Sequence, residues 1–234
     1  MKKILFAIVA MFCFGLTNAQ TADSIINKHI EAIGGKDAWM KVNSLRMEGV
    51  MKVQGAEINV KITVLNNKGM RQDITFGGMS GYQILTPTGG WNFMPFQGQK
   101  QPDPITDDEL KESQSELDAQ GTLLNYKEKG HNVEYLGTED VDGVDAYKIK
   151  ETLKGGKVET VYIDPKNYYI IRVVSKVKAN GQEMDQTQNM SNYQKQPNGI
   201  VIPMSMTTGF GGDLTITKVE INVPIEESIF KPGK

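Results

Sequence analysis

The chain has 234 residues and a mass of 26.0 kDa, a length that suits one domain or at most two. Its formal net charge is −2, and its lysines and arginines form no basic run. This composition argues against a nucleic-acid partner and against an electrostatic membrane anchor.

The first nineteen residues have the features of a secretory signal peptide. Lys2 and Lys3 precede an apolar run, Ile4–Leu16, which is too short to span a bilayer comfortably. Small residues follow in the segment "TNA", and we predict cleavage after Ala19 and export to the periplasm. The alternative is an uncleaved membrane anchor.

The mature chain, residues 20–234, is predicted to be one soluble domain. Removing the signal peptide removes two lysines and no acidic residue, so the formal charge changes from −2 to −4. The single cysteine, Cys13, follows Phe12 rather than the small residues of a lipidation signal. The mature chain therefore has no disulfide, no thiol nucleophile and no cysteine-based metal site.

The mature chain begins with a predicted amphipathic helix. Its apolar residues fall on one face at helical spacing: Ala22, Ile25, Ile26, Ile30 and Ile33. Two glycines, Gly34 and Gly35, are expected to end this helix, because glycine adopts the left-handed conformation at low cost.

From Leu45 the apolar period changes from that of a helix to that of a strand. Apolar residues alternate with polar ones in "EINVKITV", a period of two that indicates a strand with one apolar face. Frequent turn signals predict about five strands between Leu45 and Met94. Antiparallel strands resume at Val133, and "KVETVYIDPKNYYIIRVVSKVKANGQEMDQ" predicts three of them with two tight turns.

A helical segment separates the two strand-rich regions. Thr106 and Glu109 form a capping-box pattern, which predicts a helix from about Asp107 to Ala119. Its apolar residues are chiefly Leu110 and Leu117, and a more apolar stretch with Leu123 and Leu124 follows. The expected fold is mainly β (α+β), an antiparallel meander curled into a barrel or sandwich.

The sequence offers little catalytic chemistry. Only His29 and His131 are present, and neither has a metal-binding or catalytic context. We expect His29 to be partly buried in the first helix and His131 to be solvated in a loop. The acidic "EDVDGVD" lacks the spacing of a calcium loop. We therefore predict no enzyme activity, no cofactor and no metal.

Apolar and adaptable side chains are abundant instead. Ten of the twelve methionines follow the signal peptide, and methionine suits irregular apolar sites. Ordinary core packing and the lining of a cavity are both open for these residues. The predicted cavity residues are Met47, Met51, Ile58, Val60, Ile62, Val64, Trp91, Phe93, Met94 and Phe96.

These patterns resemble the LolA/LolB-like carriers of outer-membrane lipoproteins. The resemblance is clearest in "YLGTEDVDGVDAYKIKE", "ETVYIDPKNYYIIRVVSK", "SNYQKQPNGIVIPMSM" and "TITKVEINVPIEESIFKPG". The segment "IINKHIEAIGGKDAWMKVNSLRMEG" is similar to the first part of such proteins from Bacteroidota. These motifs mark turns and strand ends, so they specify the fold better than the function.

The resemblance implies a strongly curved antiparallel sheet, an unclosed barrel with a helical lid over an apolar cavity for acyl chains. The lid would comprise the N-terminal helix and the Asp107–Tyr126 region, with Leu110, Leu117, Leu123 and Leu124 as lid residues. Arg46, or next Arg71, would be the latch that holds the lid. Without a lipidated cysteine, the chain resembles the soluble carrier rather than the anchored receptor.

Three functions follow as hypotheses. The first is a monomeric periplasmic carrier of lipoprotein acyl chains or another lipid, served by envelope transport machinery. The second is an accessory or sensor module that binds a protein partner with the same fold. The third is a hydrolase that uses His29 or His131 as a base.

Overall fold

The computed structural model describes residues 17–179, 182–207 and 212–233. Most of the predicted signal peptide, with Cys13, lies outside the described residues. The helices are α1 (Thr17–Ala32), α2 (Lys36–Trp39) and α3 (Asp107–Ser113). The strands are β1 (Ser44–Val53), β2 (Ala56–Leu65), β3 (Gly69–Phe76), β4 (Met79–Thr86), β5 (Gly89–Phe93), β6 (Asp103–Pro104), β7 (Asn132–Val141), β8 (Val144–Thr152), β9 (Val158–Ile163), β10 (Ile170–Ala179), β11 (Gln182–Lys195), β12 (Val201–Thr207) and β13 (Asp213–Ile221).

All thirteen strands in the described part of the chain form one antiparallel sheet. Its order is β6-β5-β4-β3-β2-β1-β13-β12-β11-β10-β9-β8-β7. Two meanders, β1–β6 and β7–β13, are joined where the first strand pairs with the last. The sheet is curved but not closed, because β6 and β7 form free edges. The predicted mainly β fold, an unclosed barrel, is confirmed.

The register places alternate residues of the central strands on one face. Met47 lies opposite both Ile62 of β2 and Val219 of β13, and Leu45 lies opposite Val64. Residues directly opposite one another in a sheet share a face. We call the face that carries Leu45 and Val64 the inner face, and the opposite one the outer face.

Helix α1 packs its apolar stripe onto the inner face. All five residues of the predicted stripe are buried in the main core, as expected from their spacing. The helix ends at two glycines with positive φ, 114° at Gly34 and 87° at Gly35. The Gly35 N–H donates to the Ile30 carbonyl at 2.8 Å, which satisfies a free carbonyl at the helix end.

Helix α3 is shorter than predicted. The capping box is present, with the Thr106 N–H donating to Glu109 Oε2 at 2.8 Å. The helix ends at Ser113, however, and a 3₁₀ turn, Gln114–Leu117, follows it. The Leu117 carbonyl accepts the Asn67 N–H at 2.8 Å, which joins the end of this turn to the β2–β3 turn. No helix in the described ranges is long and apolar enough to cross a bilayer.

Candidate functional site

The inner face has a covered half and an uncovered half. In the covered half, Leu45, Val64, Met70 and Leu85 are buried beneath α1 and a segment that we call the cover, residues 107–130. This half forms the main core of the molecule. It includes one predicted cavity residue, Val64.

A second apolar cluster continues along the inner face beyond the cover. Five of the predicted cavity residues belong to this cluster, and they lie on the paired strands β1 and β2. Its buried members are Val60, Met204, Leu214 and Ile216, and its half-buried members are Met47, Met51, Ile58, Ile62, Met206 and Val219. The prediction from alternation in β2 selected the correct face, and the register with β13 adds Leu214 and Ile216, which sequence reasoning did not select.

The uncovered half ends at exposed aromatic and methionine side chains. Phe76 and Met79 lie opposite each other at the β3–β4 turn and remain 38% and 45% exposed. The Phe96 ring contacts Phe76 edge-on, with ring centroids 6.1 Å apart. It lies over Gly81, where an added Cβ would come within 3.0 Å of Phe96 Cε1. We call these residues the open end.

The structure separates two predicted cavity residues from the others. Trp91 lies directly opposite Ile84, and Phe93 opposite Tyr82. All four belong to an outer-face cluster that also contains Phe230 of the C-terminal segment. Trp91 and Phe93 therefore do not face the inner surface, which corrects the sequence prediction.

Met94 lies where the chain leaves β5. It is half-buried and precedes a 3₁₀ turn, Pro95–Gln97. The Met94 N–H donates to Gln99 Oε1 at 2.5 Å, so this residue helps to hold the turn. Of the predicted aromatic group, only Phe96 reaches the open end.

The cover is held by apolar contacts and by hydrogen bonds to the β2–β3 turn. Leu117, Leu123 and Leu124 are buried in the main core, and Leu110 packs half-buried against it. The Ala119 N–H donates to Asn66 Oδ1 at 3.0 Å. The four predicted lid leucines therefore do lie against the covered half of the inner face. Residues after Gly121 form turns.

Asp23 of α1 ties the helix to the cover. It accepts a hydrogen bond from the Tyr126 hydroxyl and another from Lys127 Nζ at 2.7 Å. The Lys127 and Tyr126 hydrogen bonds lower the pKa of Asp23 below its ordinary value of 3.8. The carboxylate is thus ionised over the physiological range, and it joins the two predicted parts of the lid.

Neither arginine proposed as a latch reaches the cover. Arg46 points to the outer face, where its Nη1 lies 3.6 Å from Glu220 Oε2 of β13. Arg71 is also on the outer face and donates to the Ile229 carbonyl at 2.9 Å. The geometry contradicts a latch at either position, since register places both side chains on the face opposite the cover. Arg71 instead holds the C-terminal segment.

The charged residues of the central strands lie on one face only. Every charged residue in β1–β5 and β13 occupies an outer-face position by register. Several form cross-strand ion pairs there, such as Lys61 with Asp73 at 3.5 Å. The outer-face residues are Arg46, Glu48, Lys52, Glu57, Lys61, Arg71, Asp73, Asp213, Lys218 and Glu220. The inner face of these strands is uncharged.

Both histidines make backbone contacts. His29 is buried, and its Nδ1–H donates to the Tyr168 carbonyl at 2.7 Å. Burial lowers its pKa to about 4, so the ring is neutral. His131 is half-buried rather than solvated, and its Nδ1 accepts the Lys154 N–H at 3.0 Å. These bonds hold backbone segments together, so the geometry does not favour either ring as a catalytic base.

A buried carboxyl lies on the inner face of β8, under the cover. Glu151 accepts the Thr122 hydroxyl at 2.7 Å through Oε2, while Oε1 has no hydrogen-bond partner within the described residues. Burial raises the pKa of Glu151 to about 7. Glu159 lies directly opposite and pairs with Lys157 at 2.8 Å. Among the described residues, no group of acidic and histidine side chains could hold a metal ion.

Two grooves border the cover. One, of about 380 Å³, lies between α1 and the cover, and its lining includes Leu123 and Leu124. The other, of about 550 Å³, lies between the cover and the β8–β9 turn, with Lys111 and Lys157 at its wall. Neither groove is lined by any of the ten predicted cavity residues.

No protein-family model and no curated protein matches the chain. Solved structures share its fold at low sequence identity. One is a domain from Vibrio parahaemolyticus, provisionally described as an outer-membrane lipoprotein-sorting protein, with 17% identity, a TM-score of 0.53, and coverage of 91% of this chain and 97% of that one.

Two further structures are similar over the same extent. A LolA superfamily protein from Nitrosomonas europaea has 14% identity and a TM-score of 0.56, with 90% of this chain and 97% of that chain covered. A DUF1329 family protein from Desulfovibrio piger has 13% identity, a TM-score of 0.56 and the same 90% and 97% coverage. These similarities show a LolA-like fold. The Bacteroidota subgroup stays a prediction.

Proposed function

We propose that this chain is a monomeric periplasmic carrier, which binds the acyl chains of lipoproteins or another lipid on the inner face and helps deliver them to the outer membrane. The partition of charge carries this proposal. All charged residues of β1–β5 and β13 lie outside, while the inner face presents an apolar cluster that the cover leaves open. The LolA-like fold supports the same reading, with no cofactor required.

The chemistry of the inner face suits a hydrocarbon ligand. Removing acyl methylenes from water is worth about 0.8 kcal/mol each, so a chain of a dozen carbons provides a large driving force. Met51 and Met206 flank Leu214 across three strands. Methionine side chains change shape easily, so this surface is suited to chains of different length and saturation.

The proposed ligand surface follows the structure. Six of the ten predicted residues are retained in its uncovered half: Met47, Met51, Ile58, Val60, Ile62 and Phe96. Val64 belongs to the part beneath the cover, while Trp91 and Phe93 are left out because they face outward. A chain that enters at the open end would extend toward the cover, whose movement would regulate release.

A pair of neighbouring substitutions tests the proposal. Ile58 faces inward and Asn59 outward on the same strand, so Ile58→Lys places a charge on the ligand surface and Asn59→Lys does not. We expect delipidated wild type and Asn59→Lys to bind a fluorescent acyl probe equally, and Ile58→Lys to bind at least 10-fold more weakly. Circular dichroism of each variant checks that the fold is retained.

Protein purified from its native envelope provides an independent measurement. Native mass spectrometry followed by lipid extraction should show a stoichiometric lipid or acylated peptide. Protein that contains no lipid when purified and does not bind added acyl chains would contradict a carrier function.

A protein-binding module is the second candidate, because large apolar side chains are exposed at the β3–β4 turn and on β11. Phe76 is 38% exposed, Met79 45% and Met184 52%. Exposed apolar groups of this size are typical of interaction sites. The test places a cross-linker at position 79 and looks for a protein partner in the envelope. Capture of a partner, with no lipid on the inner face of the same protein, would favour this function over the first.

A further inference from the structure

Three amide side chains form a row across the inner face of the first meander. Gln72 of β3 lies directly opposite Gln83 of β4, and Gln83 lies opposite Asn92 of β5. Gln72 also lies opposite Ile62, which fixes the row on the inner face. Side chains in such pairs have Cβ atoms about 5 Å apart, so the three amides form a continuous strip. We call it the amide strip.

The amide strip lies between two apolar zones. Toward the cover, the next inner-face residues are Met70 and Leu85, both buried in the main core. Toward the open end they are Ile74 and Gly81, followed by the pair Phe76 and Met79. A ligand lying along the inner face of β3 and β4 would therefore meet polar side chains at this level and apolar surface on both sides of it.

The three amides have free hydrogen-bonding capacity. Each carries one carbonyl acceptor and two N–H donors. In residues 17–179, 182–207 and 212–233, no hydrogen bond involves any of these three side chains, although all three are only half-exposed. By contrast, the side chains of Asn66 and Gln120, near the cover, are bonded. Polar groups on an apolar surface are stabilising only when they find partners.

We propose that the amide strip hydrogen-bonds the uncharged ester or amide carbonyls at the head of a bound acyl chain. This inference rests on the proposed carrier function and deepens it, since it sets the depth at which the head of the ligand lies. Amide N–H groups donate to carbonyl oxygens without requiring a charge, and no charged side chain faces inward in β3–β5. The neighbouring carboxylate is Asp103 of β6, which lies opposite Asn92 and accepts from Gln99 Nε2 at 2.6 Å. A diacylglyceryl group and a phospholipid share this carbonyl chemistry.

The experiment compares ligands that carry ester carbonyls with a hydrocarbon that has none. Delipidated protein is titrated with dioleoylglycerol, with dioleoyl phosphatidylglycerol and with 1-octadecene, each displacing a fluorescent apolar probe. The test variant is the triple substitution Gln72→Leu, Gln83→Leu, Asn92→Leu, and each single substitution is prepared in case the triple variant does not fold. Asn59→Leu is the matched control, because Asn59 lies on the outer face of β2.

We expect the triple variant to bind dioleoylglycerol about 10-fold or more weakly, with octadecene affinity unchanged or increased, since each lost hydrogen bond to a neutral group is worth roughly a factor of 3 to 10. Asn59→Leu should bind both ligands as wild type does. Isotope-edited infrared spectroscopy of ¹³C-carbonyl dioleoylglycerol should show a lowered carbonyl frequency in wild type, and this shift should be absent from the triple variant.

Each outcome has a definite meaning. Wild-type affinity of the triple variant for dioleoylglycerol, or an equal loss for octadecene, would overturn the role of the amide strip and leave the carrier function standing. Failure of wild type to bind any of the three ligands would overturn both. Tighter binding of dioleoylglycerol than of phosphatidylglycerol would identify an uncharged diacylglyceryl head as the source of the carbonyls, and the reverse order a phospholipid.

Discussion

At the scale of single residues, Glu151 is the group whose burial has the clearest thermodynamic consequence. It is fully buried beneath the cover, with one oxygen bonded to Thr122 and the other unpartnered within the described residues. Burial raises its pKa from an ordinary 4.5 to about 7. The folded protein therefore keeps a proton on Glu151 at pH values where the unfolded chain has lost it.

This proton predicts a pH-dependent stability. Between pH 4.5 and 7 the unfolded state binds fewer protons at this site than the folded state, so the contribution to stability falls as pH rises, by at most about 1.4 kcal/mol per pH unit. Glu151→Gln should remove this slope and be the more stable protein at pH 8, by up to about 3 kcal/mol. Urea unfolding from pH 4.5 to 8 measures both effects.

The control for that measurement is Glu134→Gln, because Glu134 is exposed on β7. Its pH profile should match that of wild type. A Glu151→Gln profile that also matches wild type would show that Glu151 titrates normally in the folded protein.

At the scale of elements, the attachment of the cover to α1 depends on few polar contacts. The Tyr126 hydroxyl bonds Asp23, and Lys127 adds an ion pair to the same carboxylate. Tyr126→Phe should loosen the cover by about 1 kcal/mol, because a hydrogen bond to a charged acceptor is lost. Hydrogen exchange of the Lys129 and His131 amides, both bonded within this region, should accelerate roughly 3- to 10-fold.

Tyr162→Phe is the matched control for the cover. Its hydroxyl donates to a carboxylate as well, Glu139 at 2.9 Å, but on the outer face. We expect this variant to leave exchange of the Lys129 and His131 amides unchanged. Equal acceleration in both variants would mean that the Asp23 contact does not hold the cover.

The elements also show how far the sequence predicts the structure. The alternation in β2 identifies its inner face correctly, because four apolar residues and four polar ones leave only one way to bury the strand. In β5 the prediction came from the apolar character of the residues, and it is wrong for Trp91, whose outer-face position is stabilised by Phe230 from a distant part of the chain. No local pattern in a five-residue strand contains that information.

The cover illustrates the same limit. Its buried leucines follow from their apolar character, and the start of α3 follows from its capping box. The turn that follows α3 is bonded through Leu117 to Asn67, a contact between distant parts of the chain that no local pattern contains. The amide strip is likewise unreadable from sequence, because it requires the register of three strands.

At the scale of the whole molecule, the pairing of β1 with β13 unites the two meanders. The main core draws on both of them, with Val64 from the first and Val161 from the second. We therefore expect one cooperative unfolding transition, since neither meander can bury its inner face alone. Tryptophan fluorescence and far-ultraviolet circular dichroism should give the same urea midpoint.

The two tryptophans allow a stricter version of this measurement. Trp39 is buried in the main core, whereas Trp91 lies on the outer face of the first meander. In the Trp91→Phe variant the tryptophan fluorescence comes from Trp39 alone. The urea midpoint that it gives should still coincide with the midpoint from circular dichroism. An earlier fluorescence transition in wild type than in this variant would show that the first meander unfolds separately.

The pairing of β1 with β13 also determines when the chain can complete its sheet during synthesis. A ribosome releases β13 long after β1, so one edge of β1 stays unpaired while the strands between them emerge. Contacts between such distant segments form slowly, because a long loop must close first. The pairing that unites the two meanders would therefore form only after both of them have been synthesised.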